Sequence, residues 1–518
     1  MKSQITRLLL LACIQIGLVP SFAQSKLSIE NVYSVTLRNS GTIQAKEQIK
    51  GYFFFYQSDK VDKHTNEYTL QLVDENLNKL KDIKFTDSKD IVLLESSYNG
   101  DKMMFTFFDD EQNTLDYRIF GMDGKKVYNY SKVLDKRSKA YFKQALSMNT
   151  GEESSNQNVF DIEQKGFISV TPLREDKKYT YEVNFYSTQK KKTWAYNPAE
   201  DGKYTMAQYL GATDSIALIE VMSKDNAMTK HVESTLIGLN LENGKKVFEI
   251  RTKDGAQQLY PMNLASLTGS SNFILIGPYY NGDDNVTKDE SLGLGIWIMN
   301  NQGSVVRSKY ISWTSDLSKF LKVSNKGNLA DLGYIYFHRI VQTQDGRVFA
   351  IGEGYKKNAN AAGIALSVLT RSYASNFTKL VITDMLFLEL TDKFELLNAK
   401  IYEKNNNVFA IPGTDFVSPH TLALVAKADG AFDYTFTQMG ENKESFVSGY
   451  TDWEKSKNYK GLVFHSISYY DGKVSNDQIN LKTEASNLRI MPAKPGSVLL
   501  IEYFKKAKKL EMRMEKIN

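Results

Sequence analysis

The chain has 518 residues, with 65 Lys and Arg against 60 Asp and Glu, a formal net charge of +5, and 42% hydrophobic residues. That length exceeds one ordinary core but suits a repeat protein, and the hydrophobic content excludes a disordered chain. The near-balanced charge, with no long basic stripe, gives nucleic-acid binding no electrostatic support.

Residues 1–23 have the form of a secretory signal peptide. Lys2 and Arg7 supply the charged start, Leu8 to Leu18 the apolar stretch, and Ser21-Phe22-Ala23 the small–x–small site before Gln24. The apolar stretch is too short and too interrupted to read as a span, and no later stretch is long and apolar enough for one. The expected product is therefore periplasmic or secreted, with no transmembrane segment. Cys13, the only cysteine, falls inside this signal. The mature chain is then left without disulfides, thiolate chemistry or Cys-based metal sites.

With 30 Tyr and 28 Phe but only 9 Pro, the rest of the chain leans towards strands. Ile91 to Val133 reads as strand, turn, strand, loop, strand, turn, strand, with turns at Asn99-Gly100-Asp101 and Asp123-Gly124. The last hairpin of that unit recurs at Leu236 to Val247 around Asn243-Gly244. It recurs again at Ile296 to Val305 around Gln302-Gly303, and at Leu386 to Leu396 around Thr391-Asp392-Lys393. A further copy at Leu70 to Leu80 carries Leu77 where glycine usually stands, glycine being the residue that accepts a positive φ cheaply.

Turns leading into strongly apolar strands recur at Gly51 to Tyr56, Gly166 to Val170, Ser215 to Val221, Asn272 to Ile276, Arg347 to Ile351, Gly461 to His465 and Ser497 to Ile501. Repeated antiparallel meanders point to a β-propeller, in which ring closure hides the sheet edges. The expected fold is all-β: about eight four-stranded blades, alternatively seven, in one domain over residues 24–518. Units start near residues 33, 88, 157, 203, 257, 333, 408 and 485. The last has room for three strands, so the segment 27–37 is expected to supply the fourth and close the ring. Two short helical insertions are expected, at Lys136 to Leu146 and Ser315 to Val323.

Loops between strands two and three, and between blades, open on one face of such a ring, and the long loops fall there. Binding is therefore expected on that face. Tyr279, Tyr280, Trp313, Tyr355 and Tyr373 could form an aromatic platform for a sugar or peptide; packing between blades accounts for the same residues. Glu353 follows an apolar strand and needs a partner there, with Arg371 or Arg339 as candidates. Asp283 and Asp284, with Asn281, Asp289 and Glu290, make an acidic loop that could hold Ca2+, the one cofactor the sequence suggests. The five histidines (64, 231, 338, 420 and 465) lie too far apart in sequence for a helix-borne metal pair, and there is no nucleophile elbow, phosphate loop or dinucleotide fingerprint. No residue is nominated as catalytic.

Phe22-Ala23-Gln24, Ile29-Glu30-Asn31-Val32-Tyr33, Leu37 to Gly41, Lys50 to Tyr56, Asp59 to Lys63 and Ile351 to Lys357 together resemble an uncharacterised exported β-propeller-like family of the Bacteroidota. The resemblance covers nearly the whole mature chain and implies export and the propeller, but no activity. The expected function is thus a non-enzymatic binding or scaffold protein of the cell envelope, with an envelope protein, peptide or glycan as partner. The alternative is a periplasmic carbohydrate-active hydrolase or lyase with its site in the central funnel.

Overall fold

A computed structural model of the chain describes residues 25–517 apart from 46–47, 137, 141, 144–157, 176–177, 190–192, 199–203, 227–228, 230–231, 267–269, 287–288, 325–328, 330–331, 359–376, 413–418 and 429. The described strands form eight antiparallel sheets, laid down one after another along the chain. Their first strands are Ser40–Ala45, Ile91–Tyr98, Val159–Ile162, Tyr204–Ala212, Gln257–Leu259 with Asn263–Ser266, Tyr334–Gln342, Tyr434–Met439 and Asn487–Pro492. They are numbered here as blades 1 to 8.

The second strand of each blade shows why the ring forms. In blade 1, Tyr52, Phe54 and Tyr56 point into the cluster shared with blade 8, while Phe53 and Phe55 point into the cluster shared with blade 2. In blade 6, Val348 and Ala350 face blade 5, while Phe349 and Ile351 face blade 7. A strand that alternates sides every residue and is apolar on both must be buried between two neighbours. Eight such inter-blade clusters follow in order round the ring, blade 8 against blade 1 being the last. Outer strands such as Lys126–Val133 are mostly exposed and accordingly polar.

Blade 8 takes its outermost strand from the other end of the chain. Lys26–Ile29 pairs antiparallel with Lys509–Lys516, with Ile29 opposite Leu510. Val32 is fully buried, and its N–H donates to the Lys508 carbonyl at 2.8 Å.

The recurring hairpin joins strands three and four. Gly124, Gly244 and Gly303 sit in the left-handed region there at φ 76°, 71° and 83°. Blades 1 and 6 place Leu77 (φ 67°) and Phe394 (φ 61°) at the same point. The left-handed conformation costs a side chain about 1–2 kcal/mol, and burying a Leu or Phe returns about 1.5–3 kcal/mol. Both side chains are buried, at 4% and 2% exposure, so burial offsets the backbone cost.

Three features differ from the sequence reading. Residues 407–412 do not open a blade: Asn407–Pro412 adds an extra strand to Phe377–Leu390 of blade 6, and blade 7 starts at Tyr434. Between them lies an unanticipated helix, Pro419–Ala428, whose Leu422, Ala423 and Ala426 pack on Tyr355, Leu380 and Ile382. Hence the apolar run Gly461 to His465 lies in the third strand of blade 7, Lys460–Tyr470. The insertion at 315–323 is only a 3-10 turn, Leu317–Lys319. The described residues between 136 and 143 are helical, with the Asp135 carboxylate accepting the Ser138 N–H at 2.9 Å as a cap; the rest of that insertion lies outside the described residues.

Antiparallel order places the turns between strands one and two, and three and four, at one end of the ring. The connections between strands two and three, and between blades, lie at the other end. The long excursions 133–159, 281–293, 312–334, 358–377 and 402–434 all belong to the second end.

Candidate functional site

The loop-bearing end of blades 5, 6 and 7 gathers a connected set of buried polar groups. Glu353 lies in the second strand of blade 6, Val348–Asn358, and strand alternation turns it towards blade 7. It is wholly buried; of the two arginines proposed as its partner, Arg371 lies outside the described residues. Lys404, just past the fourth strand of that blade, lies 3.1 Å from Glu353 Oε1. The backbone N–H groups of Asp433 and Tyr434 donate to the same carboxylate at 3.3 and 3.2 Å. Lys404 Nζ also reaches Asp433 Oδ2 at 2.6 Å, and Asn407 donates to Asp433 Oδ1 at 3.1 Å. His338 stacks on Tyr434 at 4.5 Å, with Nε2 3.2 Å from Glu353 Oε2 but out of line for a hydrogen bond.

Two carboxyls thus face one ammonium in a dry place. Burial pushes the Glu353 carboxyl up, and Lys404 pulls against it. Burial likewise pushes Asp433 up to about 6, with Lys404 opposing and Glu353 reinforcing. Burial works against the charge of Lys404, but Glu353 and Asp433 outweigh it and hold the ammonium above its ordinary value. His338 is driven well below its usual range by burial and by the Lys427 and Lys404 charges, so it is neutral.

Tyr336 and Phe432, each about 5 Å from the His338 ring, join this cluster to an aromatic wall. The Tyr355 hydroxyl lies 2.8 Å from His420 Nδ1, and His420 Nε2 lies 2.8 Å from the Asp289 carbonyl. A carbonyl can only accept, so Nε2 carries the proton and Tyr355 donates to Nδ1. The space between Tyr260, Tyr280, Tyr336, Tyr355 and the 419–428 helix is a cavity of about 30 Å³. It has room for ordered water rather than for a sugar.

The sequence candidates therefore separate. Glu353, Tyr355 and Tyr280 come together here. Tyr279 packs on Tyr310 at 4.9 Å, and Trp313 stacks on Phe337 and donates to Ser291 Oγ at 3.1 Å; both belong to the packing of blades 5 and 6. Arg371 and Tyr373 lie outside the described residues. In the acidic loop, Asp283 pairs with Lys253 at 3.2 Å, Asp284 accepts the Asn281 N–H, and Asp289 accepts the Asn285 N–H. Glu290 accepts from Tyr334. Those carboxylates hold their own loop, Lys253 at the edge of blade 5 and Tyr334 of blade 6, and among the described residues no three potential ligands converge on a metal. Lys404, Asp433, His338 and His420 were not selected from sequence. The two histidines stood out as residue types, but only folding shows their partners.

Blade 4 holds another buried carboxyl. Glu220 accepts from Ser234 Oγ at 2.8 Å, its other oxygen has no partner, and burial pushes it up to about 8. Between the ordinary glutamate range and pH 8 the folded state binds a proton that the unfolded state has released. Stability contributed by this group falls as pH rises through that window. Glu220→Gln is expected to melt higher than the parent at pH 8, with the difference closing towards pH 5. Parallel melting curves at all pH values would show that Glu220 ionises freely.

The sequence matches the profile of a family of unknown function, DUF6770, over residues 1–518. The chain belongs to that family. No curated protein matches the sequence of this DUF6770 member. Among solved structures it is similar to the WD40 domain of SCAP from fission yeast, at 7% identity and TM-score 0.36, over 95% of this chain and 94% of that one. It is similar to prolyl oligopeptidase B from Galerina marginata, at 8% identity and TM-score 0.40, over 91% of this chain and 57% of that one. A post-proline cleaving enzyme from Rickettsia typhi is similar at 10% identity and TM-score 0.32, over 92% of this chain and 63% of that one. Likenesses this distant carry nothing about activity.

Proposed function

We propose that the protein is an exported, non-enzymatic binding or scaffold protein of the cell envelope that engages a protein, peptide or glycan partner on its loop-bearing face. One observation carries the reading: every long excursion emerges at one end of the ring, while the opposite end has short turns. A rigid ring that varies its loops at one end presents a broad surface. The buried residues beneath that face are engaged with one another, and the cavity between them admits water only. The signal-like N-terminus supports export.

The test blocks one face at a time. Asp283→Cys lies on the loop-bearing face and Asp123→Cys on the short-turn face, both with exposed side chains. Each would carry a bulky maleimide polymer, and partners would be captured by crosslinking in the native envelope. Capture lost with the polymer at 283 and kept at 123 supports the reading. Capture unaffected at 283, or lost only at 123, overturns it.

A further inference from the structure

We propose that Lys404 and Asp433 condense into an intramolecular isopeptide bond, with Glu353 carrying the protons. The inference goes beyond a binding role and rests on three side chains in blades 6 and 7. Lys404 Nζ lies 2.6 Å from one oxygen of Asp433 and 3.1 Å from Glu353. The side chains of Lys404 and Glu353 have no exposure, and that of Asp433 has 17%. Stacked aromatic rings of His338 and Tyr434 close one side, with Phe432 edge-on to His338.

An amine and a carboxyl on the surface exist as ammonium and carboxylate, which do not react. The Lys404 ammonium is the resting form, held by Glu353 and Asp433; in a dry site the charged pair loses its solvation, and moving one proton from Nζ to the Asp433 carboxyl gives the reactive form, an uncharged amine and acid at close range. Fixed contact replaces a bimolecular encounter, an effect with effective molarities of about 10⁵ M or more. The Asn407 amide, donating to Asp433 Oδ1, stabilises the oxygen on which charge develops.

Nζ attacks Cγ of the Asp433 acid and a C–N bond forms. The Glu353 carboxylate takes a proton from Nζ and returns it to the departing hydroxyl, the C–O bond breaks, and water leaves. Nothing is oxidised or reduced. The products are one amide and one water, so no co-reactant is needed. His338, beside the second oxygen of Glu353, is a positioning residue.

The consequence is topological. Between Lys404 and Asp433 run the extra strand Asn407–Pro412 and the helix Pro419–Ala428. The bond closes that segment into a loop of about 30 residues, a length at which a crosslink removes several kcal/mol of unfolded-chain entropy. With Cys13 as its single cysteine the chain can form no internal disulfide, and this amide would serve as a staple that reductants leave intact.

The experiment is the denatured intact mass of the purified full chain, with its N-terminus determined by sequencing and its fold shown by a cooperative melt. The expected mass is about 18 Da below the sequence value, one water lost. A tryptic map should contain one branched peptide joining Lys404 to Asp433. Lys404→Arg and Glu353→Gln should each run at full mass, while Asp433→Asn should lose about 17 Da, ammonia leaving instead of water. Folded parent protein at its full sequence mass overturns the proposal and leaves Lys404 a plain counter-ion. A deficit that survives Lys404→Arg overturns it equally. The parent's mass decides even where a variant fails to fold.

Discussion

In a chain where Lys404 and Asp433 are not joined, the Lys404→Met variant is expected to be about 3–5 kcal/mol less stable than the parent at neutral pH, the usual effect of removing one partner from a buried ionic cluster. Methionine fills most of the space that lysine occupied, so packing changes little. The carboxyls of Glu353 and Asp433 remain, the first wholly buried, with no cation between them. They then hold protons to higher pH than in the parent, and the unfolded state releases those protons first. The deficit should accordingly be small in acid and grow as pH rises through 6, where burial places the free Asp433 carboxyl of the unjoined parent. Adding Glu353→Gln and Asp433→Asn to the same chain should return part of the lost stability, because the unpaired charges are gone. Chemical denaturation of the three proteins across pH measures this. A Lys404→Met variant as stable as its parent at pH 8 would mean that water reaches the cluster.

Deleting residues 25–33 is expected to have the second large effect, through the seam of the ring. The deletion removes the strand Lys26–Ile29, the buried Ile29 and Val32, and the Val32 hydrogen bond to Lys508. Two buried aliphatic side chains contribute about 1.5–3 kcal/mol each, and each lost hydrogen bond about 1 kcal/mol. The strand Lys509–Lys516 becomes an open edge whose buried Leu510, Met512 and Met514 lose cover, a template for aggregation. The shortened chain should melt earlier and elute partly as aggregate on size exclusion. Joining residues 25–33 after Asn518 through a short flexible turn should restore both properties, since the segment then re-enters antiparallel from the Arg513 end. A shortened chain with the parent's melting behaviour would show that the ring does not depend on this strand.

The propeller was legible because its physics is local. Strands two of blades 1 to 6 and 8 read as apolar runs between turn residues, and a strand buried on both faces can hardly read otherwise. The recurring hairpins announced themselves through Asp123-Gly124, Asn243-Gly244 and Gln302-Gly303. Where Leu77 and Phe394 stand in place of glycine, the hairpins were still legible from their flanking strands, and burial of the two side chains against the neighbouring blade offsets the cost of the left-handed conformation. Blade 7 was less legible. Asn407–Pro412 has strand composition, and only its pairing with blade 6 shows that it extends an earlier sheet. The helix Pro419–Ala428 was hidden by its position inside an expected blade, although its buried Leu422, Ala423 and Ala426 keep helical spacing.

Of the candidate site, sequence reached Glu353 through one argument: a carboxyl after an apolar strand needs a partner. It could not name that partner. Lys404 stands 51 residues further on and Asp433 80, in segments with no period or motif of their own. The sequence by itself determined the alternation, the turns and hence the ring. Tertiary structure alone decided which charges share a dry pocket, because the free energy of a buried charge depends on distances of a few ångströms between strands that the chain order leaves far apart.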